Sequence, residues 1–82
     1  MASVRLLYFG YLADAAGTRG GSVDLPAHIG DTDQLLDWLE PSLAEELRRP
    51  SVRIVINNEI KAGTVPIHPG DEIGFIPPMS GG

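Results

Sequence analysis

The chain has 82 residues, a formal net charge of −5 and no cysteine. That length holds one small domain with no second core, and the missing thiols exclude disulfide staples, thiolate zinc sites and cysteine nucleophiles together. The acidic balance argues against nucleic acid or an anionic membrane as partner and suits basic protein partners, although mild acidity is common among small soluble proteins.

Val4, Leu6 and Tyr8 alternate with Arg5, Leu7 and Phe9, which predicts a first strand with apolar side chains on both faces. Residues 11–16 read as a short helix with Leu12, Ala15 and Ala16 on one side, stopped by Gly17. Residues 18–21 follow as a glycine-rich turn, and residues 22–25 as a second strand ended by Pro26.

Asp31-Thr32-Asp33-Gln34 opens the clearest helix. Asp31 can accept the free amide at the third helical position, Gln34 can reach back to the Asp31 backbone, and Asp33 complements the positive helix end. Leu35, Leu36, Leu39, Leu43 and Leu47 continue at helical spacing. Pro41 must kink or split this helix, since it lacks an amide and its ring collides with the carbonyl four residues earlier. Ser42 to Glu45 are placed to re-cap a second segment, and Pro50 stops it after Arg48 and Arg49.

Residues 52–57 form the strongest strand by composition, with Val52, Ile54 and Ile56 on one face. Asn57-Asn58 is a turn pair, residues 60–65 are placed to pair back across it, and His68-Pro69-Gly70-Asp71 is a second turn. Residues 72–76 make the last strand, Ile73 and Phe75 facing one way and Gly74 and Ile76 the other. The element order predicts an α+β roll: one mixed sheet with one main helix packed on one face. Order alone admits a ubiquitin-like β-grasp or several ferredoxin-like variants.

Few residues suggest chemistry. His28 and His68 are the only imidazoles and lack further donors at ligand spacing, so no metal site is expected. Gly17-Thr18-Arg19-Gly20-Gly21 lacks the Lys-Ser/Thr ending of a phosphate loop. Ser3, Ser22, Ser42 and Ser80 have no nucleophile-elbow context. Glu40, Glu45 and Glu46 read as a solvated helix face and Trp38 as a cap on the core edge.

No apolar run approaches the ~18 residues of a membrane span. Arg5, residues 6–13 and the Ala13-Asp14-Ala15 triplet loosely imitate a signal peptide, but cleavage there would delete a core strand. A cytoplasmic location is the expectation.

The ending is different in kind. Phe75-Ile76-Pro77-Pro78-Met79-Ser80-Gly81-Gly82 runs an apolar strand into two stiff prolines and finishes on two glycines. From Pro77 onward such a tail reaches up to ~20 Å, and its glycine tip could thread a narrow tunnel. This divides the chain into a body over residues 1–76 and a tail over residues 77–82. A free carboxylate at Gly82, with a pKa near ~3.5, is unreactive at neutral pH, so delivery makes sense once a partner activates it, most simply by adenylation with ATP.

These residues closely resemble the small, sulfur-carrier subunits of molybdopterin synthase, a family of ubiquitin-like β-grasp proteins whose tails read Pro-Pro-x-Ser/Thr-Gly-Gly. The resemblance extends back through Gly70-Asp71-Glu72, Ile56-Asn57 and Ala16-Gly17-Thr18; Pro41 and Met79 depart from it mildly. It implies a chain that is not an enzyme by itself and binds no cofactor. An E1-like adenylyltransferase would use ATP to adenylate Gly82, and a sulfurtransferase would supply the sulfur for a thiocarboxylate. Pro77, Pro78, Met79, Ser80 and Gly81 would thread that terminus into the large synthase subunit, in a heterotetramer, to build the molybdopterin dithiolene. Related carriers serving thiazole, cysteine or tRNA thiolation, and ubiquitin-like modifiers joined through Gly82 to lysines, are the alternatives.

Strand parity adds one expectation. If Val4, Leu6, Tyr8, Ile73 and Phe75 face the helix, then Leu7, Phe9 and Ile76 emerge opposite, beside the tail. They form a partner-binding patch there unless residues 11–18 cover them.

Overall fold

The structure, a computed structural model, describes residues 2–78. The expectations for Met79, Ser80, Gly81 and Gly82 therefore lie outside the described residues.

Alternating side chains on the first segment produce strand β1 (Ala2–Tyr8), and the next apolar positions at helical spacing produce α1 (Tyr11–Ala16). Six residues are too few for an isolated helix to persist in water. α1 is held by fully buried Leu12 and closed by Gly17, whose left-handed conformation (φ 75°) lets its N–H bond back to the carbonyls of Ala13 and Asp14. β2 (Gly20–Leu25) begins two residues before the predicted second strand, because the glycines of the expected turn pair with Leu6 and Leu7 of β1.

The single main helix of the sequence reading is two helices, α2 (Thr32–Trp38) and α3 (Pro41–Leu47). The cause is Pro41. It disfavours helical backbone at Glu40, which stays extended (ψ 132°), and it then serves as the first residue of α3, where no amide is needed. Asp31 caps α2 as predicted, its carboxylate accepting the Gln34 N–H at 2.8 Å, while Gln34 reaches one residue further back than expected and accepts from the Gly30 N–H at 2.7 Å. The cap of α3 is Glu40 and not Ser42: the Glu40 carboxylate accepts the Leu43 N–H at 3.2 Å. Arg48 ties the two helices together, donating to Asp33 at 2.8 Å and to Asp37 at 2.7 Å.

β3 (Arg53–Ile56), β4 (Glu59–Lys61) and β5 (Glu72–Ile76) complete a five-stranded sheet of order β2-β1-β5-β3-β4. β1 and β5 run parallel in its middle and the other neighbours are antiparallel. β4 is shorter than the 60–65 pairing expected from sequence. Buried Thr32 draws the chain away instead: its N–H donates to the Val65 carbonyl at 3.0 Å and its hydroxyl accepts the Val65 N–H at 3.1 Å.

One face of the sheet and the inward sides of the helices share a single core. Val4, Leu6, Tyr8, Ile73 and Phe75 are all buried there, as the alternation predicts, with Leu12, Leu35, Leu36, Leu43 and Leu47 packed against them. Each fully buried side chain of this size contributes about 1.5–3 kcal/mol. The Tyr8 and Phe75 rings stack with centroids 5.7 Å apart. The result is the mixed α+β roll expected from the sequence, with two helices in place of one.

Candidate functional site

The other face of the sheet is where the sequence puts its partner patch. Cross-strand register decides which residues share a row there. Leu7 pairs with Gly74, Gly74 with Val55, and Val55 with Ile60, so these four line up across β1, β5, β3 and β4. Neighbouring residues Leu6, Ile73 and Ile56 point to the core, which leaves this row facing outward.

Phe9 joins the row from beyond the end of β1. Its N–H donates to the Phe75 carbonyl at 3.1 Å, and its ring lies over Gly74: a Cβ there would stand 3.2 Å from Phe9 Cε2. Ile76 sits one step along β5 on the same face, paired with Arg53. Phe9 is 46% exposed and Ile60 is 69% exposed, while Leu7, Val55 and Ile76 are half-buried. Leu7, Phe9 and Ile76 thus stand on one face, and α1 leaves Phe9 open to solvent. Val55 and Ile60 belong to the same apolar strip but were not singled out by the sequence, because their place depends on the β3–β4 register.

The tail leaves from the centre of this sheet. Pro77 and Pro78 carry no backbone N–H and cannot extend the β5 ladder. Pro77 is half-buried against Gly10: a Cβ on Gly10 would lie 2.8 Å from Pro77 Cγ, and Gly10 itself has φ 57° and ψ −140°. Gly10 is thus fitted twice to the root of the tail, by its conformation and by its lack of a side chain. Pro78 is exposed. A groove runs beside this root, lined by Leu7, Phe9, Gly10, Asp14 and Arg19.

Several of the remaining polar residues have structural work. Glu40 is held below its usual carboxylate range by the Ser42 hydroxyl and then by the Leu43 N–H, so it caps a helix. Asp71 accepts the His68 N–H at 2.8 Å and the Asn57 amide at 2.9 Å, while Asn57 accepts the Glu72 N–H at 3.0 Å, which locks the turn into β5. Ser3, Ser22 and Ser42 are exposed, as are His28 and His68. Trp38 is 40% exposed at the end of α2 and borders a groove with Gly20 and Gly21. Among the described residues no three His, Cys, Asp or Glu side chains gather to hold a metal, and no helix is long and apolar enough to cross a membrane.

Comparison with known proteins gives this geometry a context. The model of the ThiS family matches residues 6–82. The human protein named molybdopterin synthase sulfur carrier subunit is 33% identical over 89 residues, an alignment covering all of this chain and 97% of that protein. Among solved structures, SAMP1 from Haloferax volcanii superposes with a TM-score of 0.79 at 28% identity, covering 99% of this chain and all of that one. The small archaeal modifier protein 1 of Methanosarcina acetivorans gives 0.70 at 25% identity, covering all of this chain and 98% of that one.

Proposed function

The chain belongs to the ThiS family, and on that premise we propose that it is a sulfur carrier of the molybdopterin synthase type. The observation that carries the reading is the end-to-end similarity to the human sulfur carrier subunit, joined to a tail of Pro77-Pro78-Met79-Ser80-Gly81-Gly82. The outer apolar strip and the close seat of Pro77 on Gly10 support it, since an exposed apolar surface and the base of the tail lie side by side.

In this proposal a carboxylate oxygen of Gly82 attacks the α-phosphorus of ATP on an E1-like adenylyltransferase, and pyrophosphate leaves. A hydrosulfide equivalent from a sulfurtransferase then displaces AMP from the acyl carbon and leaves a thiocarboxylate. The charged carrier docks through Leu7, Phe9 and Ile76, with Val55 and Ile60 widening the contact, on a large synthase subunit. Pro77 to Gly81 carry the sulfur into that subunit's active site, where it passes to the precursor of the molybdopterin dithiolene as water cleaves the acyl–sulfur bond and restores the Gly82 carboxylate. The chain supplies the donor group and no general acid or base of its own; ATP is bound by the activating partner. Two carriers and two large subunits form the working heterotetramer, in the cytoplasm.

Intact-mass analysis of the chain produced with its activating enzymes tests this. One oxygen replaced by one sulfur at the terminus is the expected product. Removing Gly82 abolishes sulfur transfer while the fold persists; transfer that survives the deletion refutes the proposal. Phe9→Asp tests the docking face: a folded variant with unaltered affinity for the large subunit removes it.

The likeness to SAMP1 favours one second reading, a modifier joined through Gly82 to lysines of other proteins. Lysine-linked adducts in the same mass experiment, without the oxygen-to-sulfur exchange, select it.

A further inference from the structure

The net charge of −5 suggests that a partner should be basic, yet the charges are not spread evenly over the surface. Of the six basic residues, Arg48, Arg49 and Lys61 are each held by a carboxylate on their own side of the molecule. The other three border the outer apolar strip. Arg5 precedes Leu7 by two residues on the same face, Arg53 stands beside Ile76, and Arg19 lines the groove with Leu7 and Phe9. Three of the eleven acidic residues share that face: Glu72, paired in register with Arg5; Asp24, paired with Ser3 and diagonal to Arg5; and Asp14, which lines the same groove as Arg19. Among the described residues no carboxylate comes within salt-bridge distance of Arg5, Arg19 or Arg53.

We infer that the protein surface docking on this face is acidic around an apolar centre, with carboxylates set opposite Arg53 and Arg19. The inference rests on the docking reading above and specifies its partner. Arg53 carries most of the weight, because its neighbour in the register is the apolar Ile76 and no acidic residue shares its position. Burying the strip would strip water from the two guanidiniums at its edge, and facing carboxylates restore what that loses while steering the encounter. A basic partner surface would instead bring like charges together around the apolar contact, which is unfavourable at short range. The acidic residues of the helical side, among them Asp33, Asp37 and Glu46, pair with Arg48 and Arg49 away from this face.

Association of the full chain with its large synthase subunit, followed by stopped-flow at low and physiological salt, decides the sign. Arg53→Glu and Arg19→Glu are expected to slow association and weaken affinity several-fold to about tenfold each, more at low salt. If net charge governs, the same substitutions make the chain more acidic and speed association. Faster or unchanged association therefore overturns the inference. Arg53→Gln supplies the same comparison, with half the charge change, should either reversal perturb folding by circular dichroism. Phe9→Asp separates the two layers: unaltered affinity there removes the docking reading itself, whereas loss at Phe9 with no loss at Arg53 and Arg19 removes only the acidic partner.

Discussion

Phe9 rests on Gly74. The ring of a residue beyond the end of β1 covers the backbone of the central strand, and an added Cβ would meet Phe9 Cε2 at 3.2 Å. This contact keeps the largest exposed side chain of the strip lying on the sheet.

Gly74→Ala should lift the Phe9 ring by a few tenths of an ångström. Gly74 has an ordinary strand conformation, so alanine brings a backbone gain of about 0.5–1 kcal/mol that offsets the crowding. Thermal unfolding is expected to change by only a few degrees, while affinity for the large subunit falls several-fold. Equal affinity with the wild-type chain would show that the ring's position is unimportant for docking.

Gly10→Ala acts at the tail instead. The substitution places a methyl group 2.8 Å from Pro77 Cγ at a residue with φ 57°. A loss of about 1–3 kcal/mol in urea denaturation is expected from the strained backbone. Single-turnover sulfur transfer from the thiocarboxylated chain should slow more than docking weakens, since Pro77 is displaced and the Phe9 strip is not.

Asp71 predicts an acid dependence of stability. Burial pushes its carboxyl upward, but hydrogen bonds from the His68 N–H and the Asn57 amide, with the nearby His68 ring, outweigh burial and hold it below the usual value. A lowered value in the folded state means that the unfolded chain binds more protons in acid. The stabilisation is therefore complete above the unfolded value of ~3.9 and is lost as pH falls through the folded one. Asp71→Ala should cost about 1–2 kcal/mol at pH 7 and show a smaller further loss on acidification than the wild-type chain. Urea denaturation curves at neutral pH and near pH 3 measure both effects.

Asp31→Ala removes the acceptor for the Gln34 N–H at the start of α2. The expected cost is about 1 kcal/mol, with Asp31→Asn close to wild type because its side-chain carbonyl can accept the same bond. Chemical denaturation of the three chains side by side provides the check.

Local chemistry made much of this fold readable in advance. The Asp31 cap, the Gly17 stop and the alternation through Val4, Leu6 and Tyr8 are decided by residues close in sequence, and each stands where the pattern puts it. Pro41 was legible as a break, but the capping role of Glu40 was not, because glutamate seldom caps and Ser42 stood nearby. The strand expected over 60–65 failed for a long-range reason: Thr32, thirty-three residues earlier, takes both hydrogen-bonding groups of Val65. The same holds for the outer face. Leu7, Phe9 and Ile76 followed from parity on single strands, whereas Val55, Ile60 and the flanking Arg53 acquire their positions only when the register across four strands is fixed.

The central place of β5 also has a mechanical meaning. It is bonded on both sides, to β1 in parallel and to β3 in antiparallel, and the tail continues directly from its last residue. Tension drawn through Pro77 therefore runs along the strand axis and loads both ladders in shear, so that many hydrogen bonds must yield together. A tail attached to an edge strand would peel its bonds away one at a time. The body can thus be hauled out of a tight grip by its end without unravelling.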